Sequence, residues 1–110
     1  MPIWYFVPIP DLPPDVTDQS GKVGIIRYLI KEGAPVSDGT PIAEIETWRA
    51  VLQVEAAGKG YLSKTFFNRG TTVRIGEPIA IILCDGEDAP CERPKSKIQI
   101  LRIKKEKPSR

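Results

Sequence analysis

One segment of this 110-residue chain occurs twice, as KEGAPVSDGTPIAEIE at Lys31 to Glu46 and as NRGTTVRIGEPIAIIL at Asn68 to Leu83. A shift of 37 positions superimposes two glycines, a valine, the tripeptide Pro-Ile-Ala and a further isoleucine. The matched pairs are Gly33 with Gly70, Val36 with Val73, Gly39 with Gly76, Pro41 with Pro78, Ile42 with Ile79, Ala43 with Ala80, and Ile45 with Ile82. So many matches at one shift indicate an internal repeat of one supersecondary unit.

Each copy of the repeat is typical of short strands joined by glycine turns. Glycine permits the positive φ angles of tight turns. A proline two residues after the second glycine suits the start or edge of a strand, where no backbone donor is required. A glycine and an apolar pair precede each copy, at residues 24–26 and 60–62, with one extra residue predicted in the second copy before Gly70. Strands are predicted near residues 4–7, 23–31, 42–47, 50–56, 60–67 and 79–84.

Because each unit buries only one face, the two copies are expected to pack face to face across an approximate twofold axis. The predicted fold is therefore all-β, a flattened sandwich or barrel of two small antiparallel sheets with an internal repeat. Aromatic residues near the N-terminus share this core in the prediction, with Trp4 and Phe6 on one strand face and Tyr5 and Val7 on the other, since burial accounts for them. Tyr61, Phe66 and Phe67 are expected to be core residues for the same reason.

The composition excludes several kinds of chemistry. The chain is 41% hydrophobic and 27% charged, which is ordinary for a globular protein with room for one core. It contains no histidine, so a histidine general base, a histidine-relayed nucleophile and a histidine-ligated metal are all excluded. Cys84 and Cys91 do not form a paired C-x-x-C motif and are expected to be buried or reduced thiols. We therefore expect neither an enzyme nor a metal site.

Targeting and membrane signals are not apparent in the sequence. No apolar run approaches the ~18 residues that a membrane span needs. The first residues, MPIWYFVPIP, lack the positively charged region of a signal peptide. The sequence therefore predicts a cytoplasmic protein without a membrane partner.

The stretch AEIETWRAVLQVEA, from Ala43 to Ala56, predicts a hairpin with Thr47-Trp48-Arg49-Ala50 at its tip. A two-residue primed turn would require positive φ at Trp48 and Arg49, which is unfavourable for such side chains. A type I turn or a slightly longer loop is therefore predicted. The carboxylates expected on the solvated face of the hairpin, where they can bond Arg49, are those of Glu44, Glu46 and Glu55.

The chain resembles the lipoyl and biotinyl carrier domains, and more closely the lipoyl domains of 2-oxo acid dehydrogenase acyltransferases. The matching stretches are IPDLPPDVTDQSGKVGIIRYLIKEGAPVSDGTPIAEIETWRA (Ile9 to Ala50) and VEAAGKGYLSKTFFNRGTTVRIGEPIAII (Val54 to Ile82). The resemblance implies a barrel-sandwich hybrid of two β-sheets with quasi-twofold symmetry. It also implies an exposed hairpin tip that reads Glu-Thr-Asp-Lys-Ala, whose lysine carries lipoate, or Met-Lys-Met in the biotinyl relatives.

This chain departs from the lipoyl pattern at the two central positions of the tip. Glu46, Thr47 and Ala50 match it, whereas Trp48 stands in place of the aspartate and Arg49 in place of the modified lysine. Attachment requires an amine that loses its proton and attacks an activated acyl group. A guanidinium has a pKa above ~12 and delocalised lone pairs. Lipoate or biotin would be expected of the family, but no cofactor is expected on Arg49.

The main hypothesis is a non-catalytic protein-binding module, associated with an acyltransferase or dehydrogenase system, that makes its contacts through the five tip residues 46–50. Tryptophan and arginine are enriched at interface hot spots. In a competing interpretation Trp48 folds back onto the hairpin, with Arg49 stacked on it or paired to a carboxylate. The alternative function is a genuine lipoyl or biotin carrier modified at a non-standard lysine, either Lys59 or Lys64.

The C-terminal part is predicted to differ from the rest of the chain. Residues 1–86 form the predicted domain, and residues 87–110 a linker and a basic tail. Seven basic residues and one acidic residue lie between Lys95 and Arg110, against nine basic and thirteen acidic residues before them. A solvated terminus is the favoured prediction. An added strand, with Ile98, Ile100 and Ile103 on one side, or docking to an acidic partner or nucleic acid, are the alternatives. A protein partner is expected, nucleic acid is not favoured, and no small-molecule substrate is expected.

Overall fold

In the computed structural model, residues 4–17, 20–84 and 96–104 are described. These residues form nine β-strands and a single 3-10 turn at Pro14–Val16. The strands are β1 Trp4–Pro8, β2 Lys22–Tyr28, β3 Pro35–Val36, β4 Pro41–Glu46, β5 Ala50–Glu55, β6 Gly60–Thr65, β7 Thr72–Arg74, β8 Pro78–Leu83 and β9 Lys97–Ile103. They belong to two antiparallel sheets, which confirms the predicted all-β, lipoyl-domain-like sandwich.

The six predicted strands are present, and their ends differ from the predicted ends by no more than three residues. Two strands, β3 and β7, were not predicted. Each contains only two or three residues and lies between two turn glycines of its repeat. So short a segment between two predicted turns is not recognisable as a strand from the sequence. The glycines that match between repeats all have positive φ, as predicted: 94° at Gly33, 90° at Gly39, 85° at Gly70 and 94° at Gly76.

The two repeats exchange their short strands. The four-stranded sheet has the order β1-β8-β6-β3, and the five-stranded sheet the order β7-β2-β4-β5-β9. Strand β3 of the first repeat therefore pairs with β6 of the second, while β7 of the second pairs with β2 of the first. One repeat cannot complete its own sheet, which is the physical reason that the two copies occur together.

Hydrogen bonds between the repeats follow the approximate twofold symmetry. The backbone N–H of Gly33 donates to the carbonyl of Leu62 at 2.6 Å, and that of Gly70 donates to the carbonyl of Ile25 at 2.7 Å. Both donors and both acceptors are related by the shift of 37 positions. The repeat is therefore present in the bonding of the fold as well as in the sequence.

Strand pairing corrects one detail of the sequence alignment. Ile25 lies opposite Ile45 in one sheet, and Leu62 lies opposite Ile82 in the other. The shift of 37 positions therefore holds through β2 and β6 as well. The extra residue predicted in the second repeat is wrong, and Gly60 does not align with the corresponding glycine of the first repeat.

The core between the sheets is aliphatic. Its largest fully buried side chains belong to Ile9, Ile25, Ile42, Ile45, Leu52, Leu62, Ile79 and Ile82. Burying one such side chain stabilises a fold by about 1.5–3 kcal/mol. The prolines that begin β4 and β8, Pro41 and Pro78, occupy the strand starts predicted for them.

Several aromatic residues expected in the core are instead exposed. Trp4 is 47% exposed, Tyr61 43% and Phe66 39%, and Trp4 packs edge-on against Phe6 with 5.0 Å between ring centroids. Tyr5, which is 3% exposed, belongs to the core as predicted, and Phe67 packs against it. The prediction is wrong for Trp4 and Tyr61 because strand alternation turns every second side chain towards solvent, and both are on the solvent side; Phe66 lies just beyond the end of β6.

Part of the basic tail forms an edge strand. Strand β9 pairs with β5 throughout its length, so the solvated terminus that the sequence favoured is wrong for Lys97–Ile103, and the added strand is present. Its three isoleucines lie opposite buried residues of β5: Ile98 opposite Val54, Ile100 opposite Leu52, and Ile103 opposite Ala50. Ile100 and Ile103 nevertheless remain 41% and 50% exposed, because β9 forms the end of the sheet.

The remaining sequence predictions concern the cysteines, the domain boundary and the membrane. Cys84 is disulfide-bonded, so the expectation of a reduced thiol at this position is wrong. Cys91 and the predicted boundary between residues 86 and 87 lie outside the described residues. None of the described residues belongs to a helix with the length and apolarity that a membrane span requires.

Candidate functional site

The turn between β4 and β5 is held by hydrogen bonds of the Thr47 backbone and side chain. The Thr47 N–H donates to the Ala50 carbonyl at 2.9 Å. In return the Thr47 hydroxyl accepts hydrogen bonds from the N–H groups of Arg49 and Ala50, each at 3.0 Å. No described residue other than glycine has positive φ, so the tip is not a primed turn, as predicted. A hydroxyl that replaces backbone acceptors allows Trp48 to occupy the turn without strain.

The five tip residues divide into buried and outward-facing members. Thr47 is 6% exposed and Ala50 is fully buried, so both residues anchor the turn to the body of the domain. Trp48 is 54% exposed, and the Cζ atom of Arg49 lies 5.3 Å from the centroid of its ring. The structure thus combines features of both sequence-based interpretations, since the indole is exposed and the arginine is stacked on it.

The carboxylates of the hairpin are occupied by other partners. Glu44 pairs with Arg27 at 3.1 Å, and Glu55 accepts a hydrogen bond from the Gln53 amide at 3.0 Å. Glu46 pairs with a lysine of the C-terminal segment. Within the part of the chain that the structure describes, no ion pair involves Arg49, so the expectation that these carboxylates bond it is wrong.

Lys104, which is not among the site residues predicted from the sequence, lies at the tip. Its Nζ atom donates to Glu46 Oε2 at 2.6 Å and to the Thr47 carbonyl at 2.8 Å. Its backbone N–H donates to the Arg49 carbonyl at 2.7 Å. The residue reaches this position because β9 runs antiparallel to β5 and ends beside the turn. Only the loose alternation of the tail indicated such a strand, and its register was not predictable.

The two lysines considered in the sequence as attachment sites are not at the tip. Lys64 lies within β6, in the four-stranded sheet, and Lys59 directly precedes that strand. The tip connects two strands of the five-stranded sheet. The described lysine amine that contacts the tip is therefore that of Lys104.

A shallow cleft of about 350 Å³ opens beside the tip. Three separate segments line it: the 3-10 turn, the hairpin tip and the end of β9. Its lining residues are Pro14, Asp15, Thr17, Trp48, Arg49 and Ile103. The turn is held in place by Val16, which is fully buried and donates its N–H to the Pro13 carbonyl at 3.1 Å. Among the described residues, no group of three or more acidic, cysteine or histidine side chains is arranged to hold a metal ion.

Comparison with known proteins identifies the family of this fold. The Biotin_lipoyl family, described as "Biotin-requiring enzyme", matches residues 9–82. The chain belongs to this family. As a biotinyl/lipoyl domain it has the exchanged strands, the paired repeats and the exposed hairpin described above.

Relatives of this biotinyl/lipoyl domain include parts of larger proteins. It is 38% identical over 84 residues to the pyruvate dehydrogenase E1 component subunit beta of Rhizobium meliloti (strain 1021). It is 35% identical over 83 residues to the dihydrolipoyllysine-residue acetyltransferase component of pyruvate dehydrogenase complex from the same organism. It is also 35% identical over 82 residues to the mitochondrial pyruvate dehydrogenase protein X component of Mus musculus. These matches cover 76%, 74% and 74% of this chain but 18%, 19% and 16% of the respective relatives. The chain thus spans less than a fifth of their length.

Proposed function

We propose that this biotinyl/lipoyl domain is a non-catalytic protein-binding module that lacks the attachable lysine of its family and serves an acyltransferase or dehydrogenase system. The observation that carries the proposal is Arg49 at the apex of the hairpin, where the family resemblance places the modified lysine. A guanidinium remains protonated at physiological pH and is not an acyl acceptor. The apex is therefore free for another use.

The side chains at the apex suit a protein contact. Trp48 exposes about half of its surface, and Arg49 has no carboxylate partner among the described residues. Exposed tryptophan and arginine side chains are the residue types most enriched at interface hot spots. Thr47 and Ala50 contribute by holding these two side chains in place.

The names of the relatives support an assembly as the setting. They belong to components of pyruvate dehydrogenase and its complex, and the family is one of domains within larger proteins. We therefore place the partner among the proteins of such a system. We propose neither a membrane partner nor a small-molecule substrate.

Nucleic acid is not the proposed partner of the basic C-terminal segment. Two of its described cations are paired within the fold, Lys97 with Asp38 at 2.8 Å and Lys104 with Glu46 at 2.6 Å. Phosphate binding depends on cations that are available to release counterions. Pairing within the fold reduces that availability.

Affinity capture with tip variants tests the proposal. The full chain is immobilised and exposed to extract from its own host, alongside the variants Trp48→Ala and Arg49→Ala. Both are expected to lose capture of the specific partner while their free energy of unfolding changes by less than about 0.5 kcal/mol, as for exposed residues in general. Trp4→Ala is the matched control, because Trp4 is exposed to a similar extent, 47% against 54%. Unchanged capture with lowered stability would show that the tip is a packing feature instead.

A second candidate function is a carrier modified at a lysine other than the expected one. Lys104 favours it, since its amine contacts the tip through two hydrogen bonds, whereas Lys59 and Lys64 lie elsewhere. In the reaction, the neutral Nζ would attack the carbonyl carbon of an acyl adenylate, forming an amide and releasing AMP and a proton. Intact mass of the protein purified from its own host decides the matter. A mass equal to that of the bare sequence excludes the carrier.

A further inference from the structure

The cleft beside the tip combines one cation with apolar and polar lining residues. Trp48 and Ile103 expose 54% and 50% of their surfaces, and Pro14 is exposed next to them. Arg49 lines the same cleft and is held against the indole ring. A volume of about 350 Å³ is at the lower end of the range for binding pockets, which suits one or two side chains of a peptide.

The charge of Arg49 is the feature that selects a ligand. Two described cations near the hairpin have carboxylate partners, Arg27 at 3.1 Å and Lys104 at 2.6 Å. Arg49 has none in the described part of the chain. The planar guanidinium fork matches a carboxylate with two parallel hydrogen bonds, and its stacking on Trp48 reduces the rotamer freedom that binding would otherwise remove.

Asp15 limits the charge of the ligand. Its exposed carboxylate lines the cleft on the side of the 3-10 turn, where it repels anions and accepts hydrogen bonds from donors. A doubly charged phosphate is therefore disfavoured relative to a singly charged carboxylate. A peptide backbone N–H, or a basic side chain, complements Asp15.

We infer that this cleft binds a peptide segment of the partner protein that contains an acidic residue with an apolar residue close to it, the carboxylate contacting Arg49 and the apolar side chain contacting Trp48 and Ile103. The inference rests on the proposed function, because it specifies the chemistry of the partner at the same tip. It adds the end of β9 and the 3-10 turn to the binding surface.

The test uses the isotopically labelled full chain and two synthetic peptides. Acetyl-Ala-Glu-Leu-Phe-Ala-amide is titrated to about 5 mM, a range that detects weak binding, and the peptide with glutamine in place of glutamate is its control. In NMR spectra of the labelled chain, we expect the glutamate peptide to change the chemical shifts of the Trp48 indole N–H and of the Ile103 backbone amide. We also expect the glutamate peptide to bind about fivefold or more tightly than the glutamine peptide, as is reasonable for a charge-assisted pair.

Variants assign the selectivity to one side chain. Arg49→Gln is expected to abolish the difference between the two peptides, while Arg69→Gln, an exposed arginine outside the cleft, retains it. Absence of shifts at the cleft, equal affinity for both peptides, or retained selectivity in Arg49→Gln would overturn the inference. Tighter binding of a phosphorylated peptide or a single-stranded oligonucleotide would also overturn it.

Failure of the inference and failure of the proposed function give different results. If affinity capture depends on Trp48 and Arg49 while the peptides do not bind, the acidic–apolar segment is wrong and the protein-binding role stands. If capture is independent of both residues, the proposed function itself is wrong.

Discussion

Replacement of Thr47 by valine removes one hydroxyl from the hairpin tip with almost no change in volume. That hydroxyl accepts two backbone hydrogen bonds, from the N–H groups of Arg49 and Ala50, each at 3.0 Å. Thr47 is only 6% exposed, so water cannot fully replace the lost acceptor. The substitution therefore leaves two donors of the turn without their partner.

The expected loss follows from the burial of the two donors. A buried N–H that loses its acceptor costs about 1–3 kcal/mol, and this applies to the fully buried Ala50. The Arg49 N–H is partly buried, so hydration offsets part of its loss, and we assign it about 0.5–1 kcal/mol. The sum predicts that Thr47→Val destabilises the domain by roughly 1.5–4 kcal/mol. Thr47→Ser keeps the hydroxyl and loses one methyl group, which costs about 0.8 kcal/mol.

Thermal and urea unfolding of the two variants measure the difference. For a domain of this size, 1 kcal/mol corresponds to a shift in Tm of about 4–8 °C, so the valine variant is expected to unfold about 6–30 °C below wild type and the serine variant about 3–6 °C below. Tip-dependent partner capture should weaken in parallel in the valine variant, because Trp48 and Arg49 lose their fixed geometry. A valine variant as stable as the serine variant, or more so, would refute the role assigned to the hydroxyl.

Three further predictions concern the body of the fold. A Cβ atom at Gly60, where φ is 153°, would clash with the Leu83 carbonyl oxygen, so Gly60→Ala should lower the free energy of unfolding by more than about 3 kcal/mol in chemical denaturation. In the control Gly24→Ala the nearest atom to the added Cβ is 3.8 Å away, and the loss should be less than about 1 kcal/mol. Equal losses of stability in the two variants would contradict the clash. Tyr5→Phe should be neutral or stabilising by about 1 kcal/mol at pH 7, because the buried Tyr5 hydroxyl has no hydrogen-bond partner among the described residues. Tyr28→Phe should be destabilised by about 1 kcal/mol, because it loses the 2.8 Å hydrogen bond to the Ile79 carbonyl. A Tyr5→Phe variant less stable than Tyr28→Phe would be inconsistent with this account. Burial, assisted by Asp38, raises the pKa of Tyr5 from 10.0 to about 12, so the stability that its neutral form contributes is complete below pH 10 and is lost as the pH rises towards 12. Between pH 9 and pH 11, the free energy of unfolding in urea should therefore decrease less in Tyr5→Phe than in wild type. The decrease that remains in the variant reflects Tyr28, whose pKa is also raised by burial.

Predictions from the sequence succeeded where local chemistry decides the outcome. The turn glycines have the positive φ angles that their positions required, and the six predicted strands begin and end near the predicted residues. The predictions of burial were wrong where burial depends on which face of a sheet is covered by the rest of the domain. Trp4 and Tyr61 follow the same alternation as core residues, and nothing local distinguishes an aromatic residue facing the core from one facing solvent.

The candidate site was predicted in part for the same reason. Trp48 and Arg49 were identifiable because they depart from an expected tip pattern and from the usual residues of a turn. The contribution of Ile103 and Lys104 depends on pairing between strands that are separated by more than forty residues in the chain. Such pairing is set by register and by which edge is free, neither of which the tail sequence specifies.

By itself, the sequence determined the repeat, the all-β class and the absence of a lysine from the turn residues 47–50, because each follows from residue identity and spacing. Only the tertiary structure decided that the repeats exchange β3 and β7, that the hairpin carboxylates pair with cations other than Arg49, and that β9 brings Lys104 to the tip. These outcomes depend on which distant groups meet, and such contacts are determined by the packing of the whole domain.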